Sequence, residues 1–352
     1  MYILTGKNKT KFLFLLFQII SALKKILLIR FSSIGDIVLT TPIIRCLKRQ
    51  IPDAELHFLT KNSYQSILSV NPYINKVFCL KDSLKDLMPE LKAENYDFIV
   101  DLHKNIRSRR VKWTLRKPSA SFPKLDFRKF LYTKLKLGKL PDIHIVDRYF
   151  KAVGKLGVKN DGQGLDFFFK ESDAFLPMDL PEKFAAVVIG GQHFTKILPS
   201  EKVIEVCRAL DFPVVLVGGK EDAERGEMIC KALENSVIIT CGKLNVGQSA
   251  MVLKRSEVVL ANDTGMMHIA AALRKPIVSV WGNTVPEFGM YPYMPTCSQR
   301  SCIVENKTLK CRPCDKLGFK QCPKGHFACM NTLDANEIAR KMRDLMKNEK
   351  AE

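Results

Sequence analysis

A short hydrophobic run that empties through small residues into an acid constrains this chain more than any other feature. Ile26-Leu27-Leu28-Ile29 shows no alternation of apolar and polar positions, as expected of a strand covered on both faces and so of a parallel sheet between helical layers. Ser32, Ser33 and Gly35 follow and leave room for another molecule at the backbone, and a helix is expected to begin at Asp36. An Asp at a helix start caps orphan amides. The same place lies at the carboxyl end of a parallel strand, where such sheets bind ligands. Both roles stay open for Asp36.

The second half repeats the construction. Glu257–Ala261 reads as a strand, Asn262-Asp263-Thr264-Gly265 as a turn, and Met266–Leu273 as a helix stopped by Arg274-Lys275-Pro276. Free amides and the helix dipole favour an anion such as a diphosphate there, with capping by Asn262, Asp263 or Thr264 as the plain alternative. Gly190-Gly191-Gln192 leaves a further strand, Phe184–Ile189, without side-chain bulk, and Lys196 follows before the next helix. A compact lysine cation suits a diphosphate. No Gly-x-Gly-x-x-Gly follows either opening strand and no P-loop motif is present, which argues against nicotinamide and P-loop chemistry.

Three segments, GDIVLTTP, GGQHFTKILPSE and NDTGMMHIAAAL, occur in that order between about Lys24 and Met290. Together they resemble glycosyltransferase family 9, the heptosyltransferases that build the lipopolysaccharide core. The resemblance implies an α/β GT-B fold, two Rossmann-like domains with parallel sheets facing a central cleft. It implies an inverting transfer in which an acceptor hydroxyl attacks the anomeric carbon of a nucleotide sugar, ADP-heptose by default. Asp36 would take the proton and Lys196 would stabilise the departing diphosphate. Gly191 and Gln192 would border the donor, Glu221 would accept from a ribose diol and Leu244 would line the adenine pocket. Thr264, Gly265 and His268 would surround the diphosphate, with Asp263 on sugar hydroxyls. Ser33, Gly35, Arg107, Arg109 and Arg148 are the expected acceptor contacts. No Asp-x-Asp pair occurs, so neither a divalent metal nor another cofactor is expected.

The formal net charge of +20 calls for an acidic partner: nucleic acid, an anionic membrane or a phosphorylated glycolipid. A dense basic series between Lys104 and Lys155 lies wholly in the first half, the half that the family resemblance assigns to the acceptor, a lipid whose inner core bears phosphates and carboxylates. That favours a glycolipid over nucleic acid. The competing reading is a basic nucleic-acid- or membrane-binding Rossmann-like protein without transferase activity.

With 352 residues the chain exceeds one ordinary core. Residues 1–23 form an apolar extension too short to span a bilayer, read as an interfacial helix on the cytoplasmic face of the inner membrane or as an upstream start-site artefact. Residues 24–170 make the first domain, 171–183 a linker, 184–333 the second, and 334–352 a terminal helix and tail that in GT-B enzymes often packs back onto the first domain. Ser119–Pro141, polar, basic and broken by prolines, reads as an irregular insertion near the acceptor side. Cys311, Cys314, Cys322, His326 and Cys329 crowd a segment, 297–329, with half of a zinc-knuckle spacing. Cysteine is also a common buried hydrophobe, and no metal is assigned.

Overall fold

The computed structural model describes residues 23–349. They form two compact units. One reaches to Lys124 and takes in Val146–Asp161; the other holds Leu125–Ile145 and the chain from Gly162 onward. The backbone therefore passes from one unit to the other at residues 124/125, 145/146 and 161/162.

The first unit is built on a five-stranded parallel sheet of β1 (Lys25–Ile29), β2 (Glu55–Lys61), β3 (Lys76–Leu80), β4 (Phe98–Asp101) and β5 (Ser119–Ser121), in the order β3-β2-β1-β4-β5. Its central strand is the uninterrupted apolar run of the sequence, and Ile26 to Ile29 are fully buried. Leu27 pairs with His57 on one side and Ile99 on the other. Leu27, Ile29, Phe31, Leu59, Phe78 and Val111 belong to one core cluster. The chain builds outward from β1 to β2 and β3, then returns to β1's other edge with β4. Such a reversal opens a crevice between the carboxyl ends of two neighbouring parallel strands.

The second unit holds a six-stranded parallel sheet of β6 (Ala185–Val188), β7 (Val214–Val217), β8 (Val237–Ile239), β9 (Val258–Asn262), β10 (Ile277–Trp281) and β11 (Ser301–Glu305), ordered β11-β10-β9-β6-β7-β8. Here the reversal falls between β6 and β9. The sequence reading did not assign β5, β10 or β11. The apolar signal of Ile277–Trp281 was present, whereas β5 and β11 are largely unburied edge strands.

Two expectations are corrected. The terminal helix, Ala335–Glu349, spends its apolar stripe of Ile338, Ala339, Met342 and Leu345 in the second unit's own core, and Arg343 Nη1 donates to Ala209 O at 2.6 Å. The segment expected to be irregular begins as β5 and continues as the helix Asp126–Phe130 and the wide turn Leu131–Leu135. From Leu125 it packs within the second unit: Tyr132 meets Phe288 edge-on, Lys136 Nζ donates to Cys311 O at 3.0 Å, and Ile145 N donates to Gly289 O at 2.8 Å. The compact units thus divide the chain differently from the expected boundary at 170, over 125–145 and 162–170. The extension expected over 1–23 lies outside the described residues apart from Leu23. Among the described residues no helix is long and apolar enough to cross a membrane.

Candidate active site

In the first unit the crevice at the end of β1 is organised by an arginine. Arg30 Nε donates to Ser32 O at 2.7 Å, Nη1 to Leu102 O at 2.7 Å and Tyr149 Oη at 3.1 Å, and Nη2 meets Asp36 Oδ1 at 2.6 Å. Burial opposes its charge, but Asp36 and Tyr149 outweigh it and hold the guanidinium pKa above its usual value. Asp36 is not the first residue of its helix, as the sequence suggested. Ser33 is the N-cap of Ile34–Val38 and Asp36 is the third helical residue. Its Oδ2 accepts from Ser33 N at 3.2 Å and Ser33 Oγ at 3.1 Å, so the acid of the first turn reaches back to the N-cap as in one half of a capping box. The carboxylate is fixed at both oxygens, yet 23% of the side chain remains exposed. A carboxylate held in this way is oriented and reachable.

The neighbouring strand supplies the opposite wall. Asp101, fully buried at the end of β4, accepts from His103 N at 3.1 Å, Lys104 N at 2.7 Å and Ser108 Oγ at 2.9 Å, and pairs with Lys112 Nζ at 2.9 Å. The loop it pins carries His103, whose pKa is pushed down to about 4 by burial and then by the Arg30 charge. Its Nδ1 is buried without a hydrogen-bond partner among the described residues. Arg107 lies over the Phe31 ring at 5.8 Å and, with Lys61 and Lys81, lines a pocket of about 340 Å³. Arg109 is exposed on the helix Ile106–Leu115, whereas Arg148 is only 2% exposed. Of the three arginines expected at the acceptor, two present their side chains. Ser33 is half-buried and Gly35 buried beside Asp36.

In the second unit the ends of β6 and β9 meet in a lysine–aspartate pair. Lys196 Nζ lies 2.7 Å from Asp263 Oδ2, and Thr284 Oγ1, beyond β10, donates to the same oxygen at 2.8 Å. Asn262 joins the two loops: its Nδ2 donates to Val188 O at 3.2 Å and Gly190 O at 3.1 Å, and its Oδ1 accepts from Leu198 N at 3.0 Å. A Cβ on Gly191 would come within 3.1 Å of Ile197 and 3.2 Å of Thr264, so these loops approach closely over the glycine. Thr264 is the N-cap of the helix Gly265–Ala272 but makes no side-chain capping bond, and its Oγ1 is buried without a partner among the described residues. An uncapped helix start beside a lysine suits an anion. His268 is buried inside that helix, and Gln192 is exposed at the loop.

Glu221 and Leu244 lie on the loops beyond β7 and β8. Glu221 is exposed, with its carboxylate folded against Gly219, where a Cβ would stand 2.6 Å from it. The residue that holds this turn is Asp222, which the sequence reading passed over. It is buried and accepts from Gly219 N at 2.8 Å, while burial raises its pKa. Arg30, Tyr149, His103, Thr284 and His193 were missed as well. The pKa of His193 is lowered by burial and then by the neighbouring Lys196. A Ser-x-x-Asp capping pattern was legible at Ser33 and Asp36, whereas the contacts of Arg30 with Leu102 and Tyr149 and of Thr284 with Asp263 join distant parts of the chain.

In the Cys-rich segment, Cys311 Sγ lies 3.9 Å from His326 Nε2, and Cys314 Sγ donates to Cys311 O at 3.3 Å. Among the described residues no group of three or more His, Cys, Asp or Glu is gathered to hold a metal ion.

Two parallel-sheet units, each with a cation–carboxylate pair where its strand order reverses, define an α/β protein of the GT-B class. The family model for glycosyltransferase family 9 (heptosyltransferase) matches residues 85–323, more than half of the chain; the chain belongs to that family and is a glycosyltransferase. Lipopolysaccharide heptosyltransferase 1 of Campylobacter coli is 22% identical over 355 residues, covering 92% of this chain and 100% of that protein. The structure of the family 9 glycosyltransferase of Veillonella parvula DSM 2008 superposes with a TM-score of 0.72 at 21% identity, covering 92% of this chain and 97% of that one. The E. coli heptosyltransferase WaaC with ADP-2-deoxy-2-fluoro heptose gives a TM-score of 0.65 at 19% identity, with 91% and 99% covered.

Proposed function

We propose that this enzyme transfers heptose from ADP-heptose to the phosphorylated inner core of a lipopolysaccharide acceptor, with inversion and without a divalent metal, at the cytoplasmic face of the inner membrane. The observation that carries the donor half is the Lys196–Asp263 contact beside a helix start that Thr264 leaves uncapped. The names of the relatives, a lipopolysaccharide heptosyltransferase and an enzyme with a fluorinated ADP-heptose, support the choice of sugar and acceptor.

In this reading the acceptor hydroxyl oxygen bonds to the anomeric carbon as the bond from that carbon to the diphosphate breaks. The hydroxyl proton passes to Asp36, and the electron pair leaves with ADP. An alcohol is far less acidic than a carboxylic acid, so the proton moves late, once positive charge on the sugar ring has acidified the attacking oxygen. Arg30 and Ser33 hold Asp36 in place at both carboxylate oxygens. Lys196, the amides after Thr264 and the Thr264 hydroxyl answer the charge that grows on the diphosphate. Asp263, fixed by Thr284, holds a sugar hydroxyl.

The experiment incubates the protein with ADP-heptose and heptose-deficient lipopolysaccharide and follows ADP release, with added chelator in a parallel sample. Transfer that survives chelation supports the reading. No ADP release from ADP-heptose, with release from another nucleotide sugar, overturns the donor assignment.

A further inference from the structure

The sequence holds two tryptophans, and they live in opposite surroundings. Trp281 is fully buried in β10, whereas Trp113 is 77% exposed on the helix Ile106–Leu115 of the first unit. Ile106, seven positions earlier and on the same helical face, is 81% exposed. Arg109 and Arg110 lie between them at the spacings that share this face, and both are exposed. Ser108, Val111 and Leu115 face inward and are buried, so the helix is anchored by its other side. Asn105 fixes its start, accepting from Ser108 N at 2.9 Å while its own N–H donates to Ser108 Oγ at 3.0 Å. The outward Trp, Ile and Arg are therefore not the leftovers of a loose segment.

Charge decides between occupants. From Leu102 to Leu125 the sequence contains Lys104, Arg107, Arg109, Arg110, Lys112, Arg116, Lys117 and Lys124 and no Asp or Glu. A protein partner covering Trp113 would have to be acidic throughout. A bilayer of anionic phospholipid offers what this face lacks: a continuous layer of phosphates for the arginines, with apolar chains beneath for the isoleucine and the amphipathic indole ring. We propose that the outward face of Ile106–Leu115, centred on Ile106, Arg110 and Trp113, docks on the surface of an anionic phospholipid membrane. This deepens the transferase reading and rests on it for its purpose, since an enzyme acting on a glycolipid must meet the bilayer that holds it.

The test uses the full chain with vesicles of phosphatidylcholine containing phosphatidylglycerol, against vesicles of phosphatidylcholine alone, and reads tryptophan emission. Because Trp281 is already buried, a blue shift and loss of acrylamide quenching report Trp113. The expected result is a shift on the phosphatidylglycerol vesicles that salt reverses. Arg110→Ser lowers the partition coefficient about fivefold. Ile106→Ser lowers it as well and slows transfer to vesicle-embedded acceptor, with transfer to a deacylated, water-soluble acceptor unchanged. Vesicle binding with no change at Trp113, equal binding to neutral vesicles, or a shift produced by a DNA oligonucleotide and not by vesicles each overturn the proposal. The two readings fail separately: wild-type protein that binds these vesicles but never transfers sugar refutes the transferase reading, and protein that transfers to soluble acceptor with Trp113 still exposed refutes the docking face.

Discussion

At the end of β1 the cation is an arginine tied to Ser32, Leu102, Tyr149 and Asp36, and its aspartate is held again by Ser33. Beyond β6 the cation is a lysine whose ammonium meets Asp263, and the adjoining threonine hydroxyl has no partner among the described residues. Both pairs occupy the reversal of a parallel sheet and pair one cation with one aspartate. The difference lies in what has been left over. In the first unit both carboxylate oxygens of Asp36 are held, by Arg30 and by Ser33, which suits a group that must stay put while a substrate changes around it. In the second, donors remain to be claimed by a ligand, which suits a leaving group whose charge appears only as the bond breaks.

The contrast breaks most decisively at Asp36. Asp36→Asn keeps the shape and removes the proton acceptor, so kcat should fall by about 10²–10⁴-fold with donor affinity unchanged by calorimetry; near-native turnover would remove Asp36 from the chemistry. Lys196→Met should cost about 10²–10³-fold in kcat and also weaken ADP binding. A loss confined to turnover, with ADP bound as before, would mean that Lys196 meets charge only in the transition state.

A subtler change sharpens the first half of the comparison. Arg30→Met leaves Asp36 without its counter-charge, so protonation of the carboxylate becomes easier and the acid limb of kcat/KM moves to higher pH. A limb that stays where it was would assign the tuning to Ser33 instead. The smallest effect is on stability. His103 stays neutral in the fold down to about pH 4, whereas the unfolded chain takes the proton near its ordinary 6.5. Between those values the unfolded state binds more protons, so stability falls as the pH is lowered through that window. Replacing His103 with Phe should shrink the drop in Tm between pH 6.5 and pH 4.5 by about 2–4 °C, measured by calorimetry. At Asp222 the sign reverses: burial raises its pKa in the fold, so acid relieves a cost there.

How much of this was legible follows from the range of each interaction. The strand and turn at 24–42, and those at 257–273, are written locally, in unbroken apolar runs ending in small residues, and the structure has elements there. Position marked Asp36, Asp263 and Thr264 as cap or ligand residues, and the family resemblance supplied the roles expected of them. Arg30 could not be singled out, because its partners Leu102 and Tyr149 lie 72 and 119 residues away. Asp222 was overshadowed by Glu221 next to it, since nothing local says which of two adjacent acids turns inward. Helix Asp126–Phe130 was hidden by the prolines and lysines around it, and its place in the second unit rests on Phe288 and Lys316, far along the chain.

That excursion has a bearing on how the gene can be handled. Because Leu125–Ile145 leaves its neighbours in sequence to nest among residues near Gly289 and Pro313, no single cut separates the protein into two self-sufficient fragments. A truncation at Asp161 would strand one helix without its hosts, and a clone starting at Gly162 would carry the vacated bed. Anyone wishing to graft one lobe onto a relative must move three splice points together.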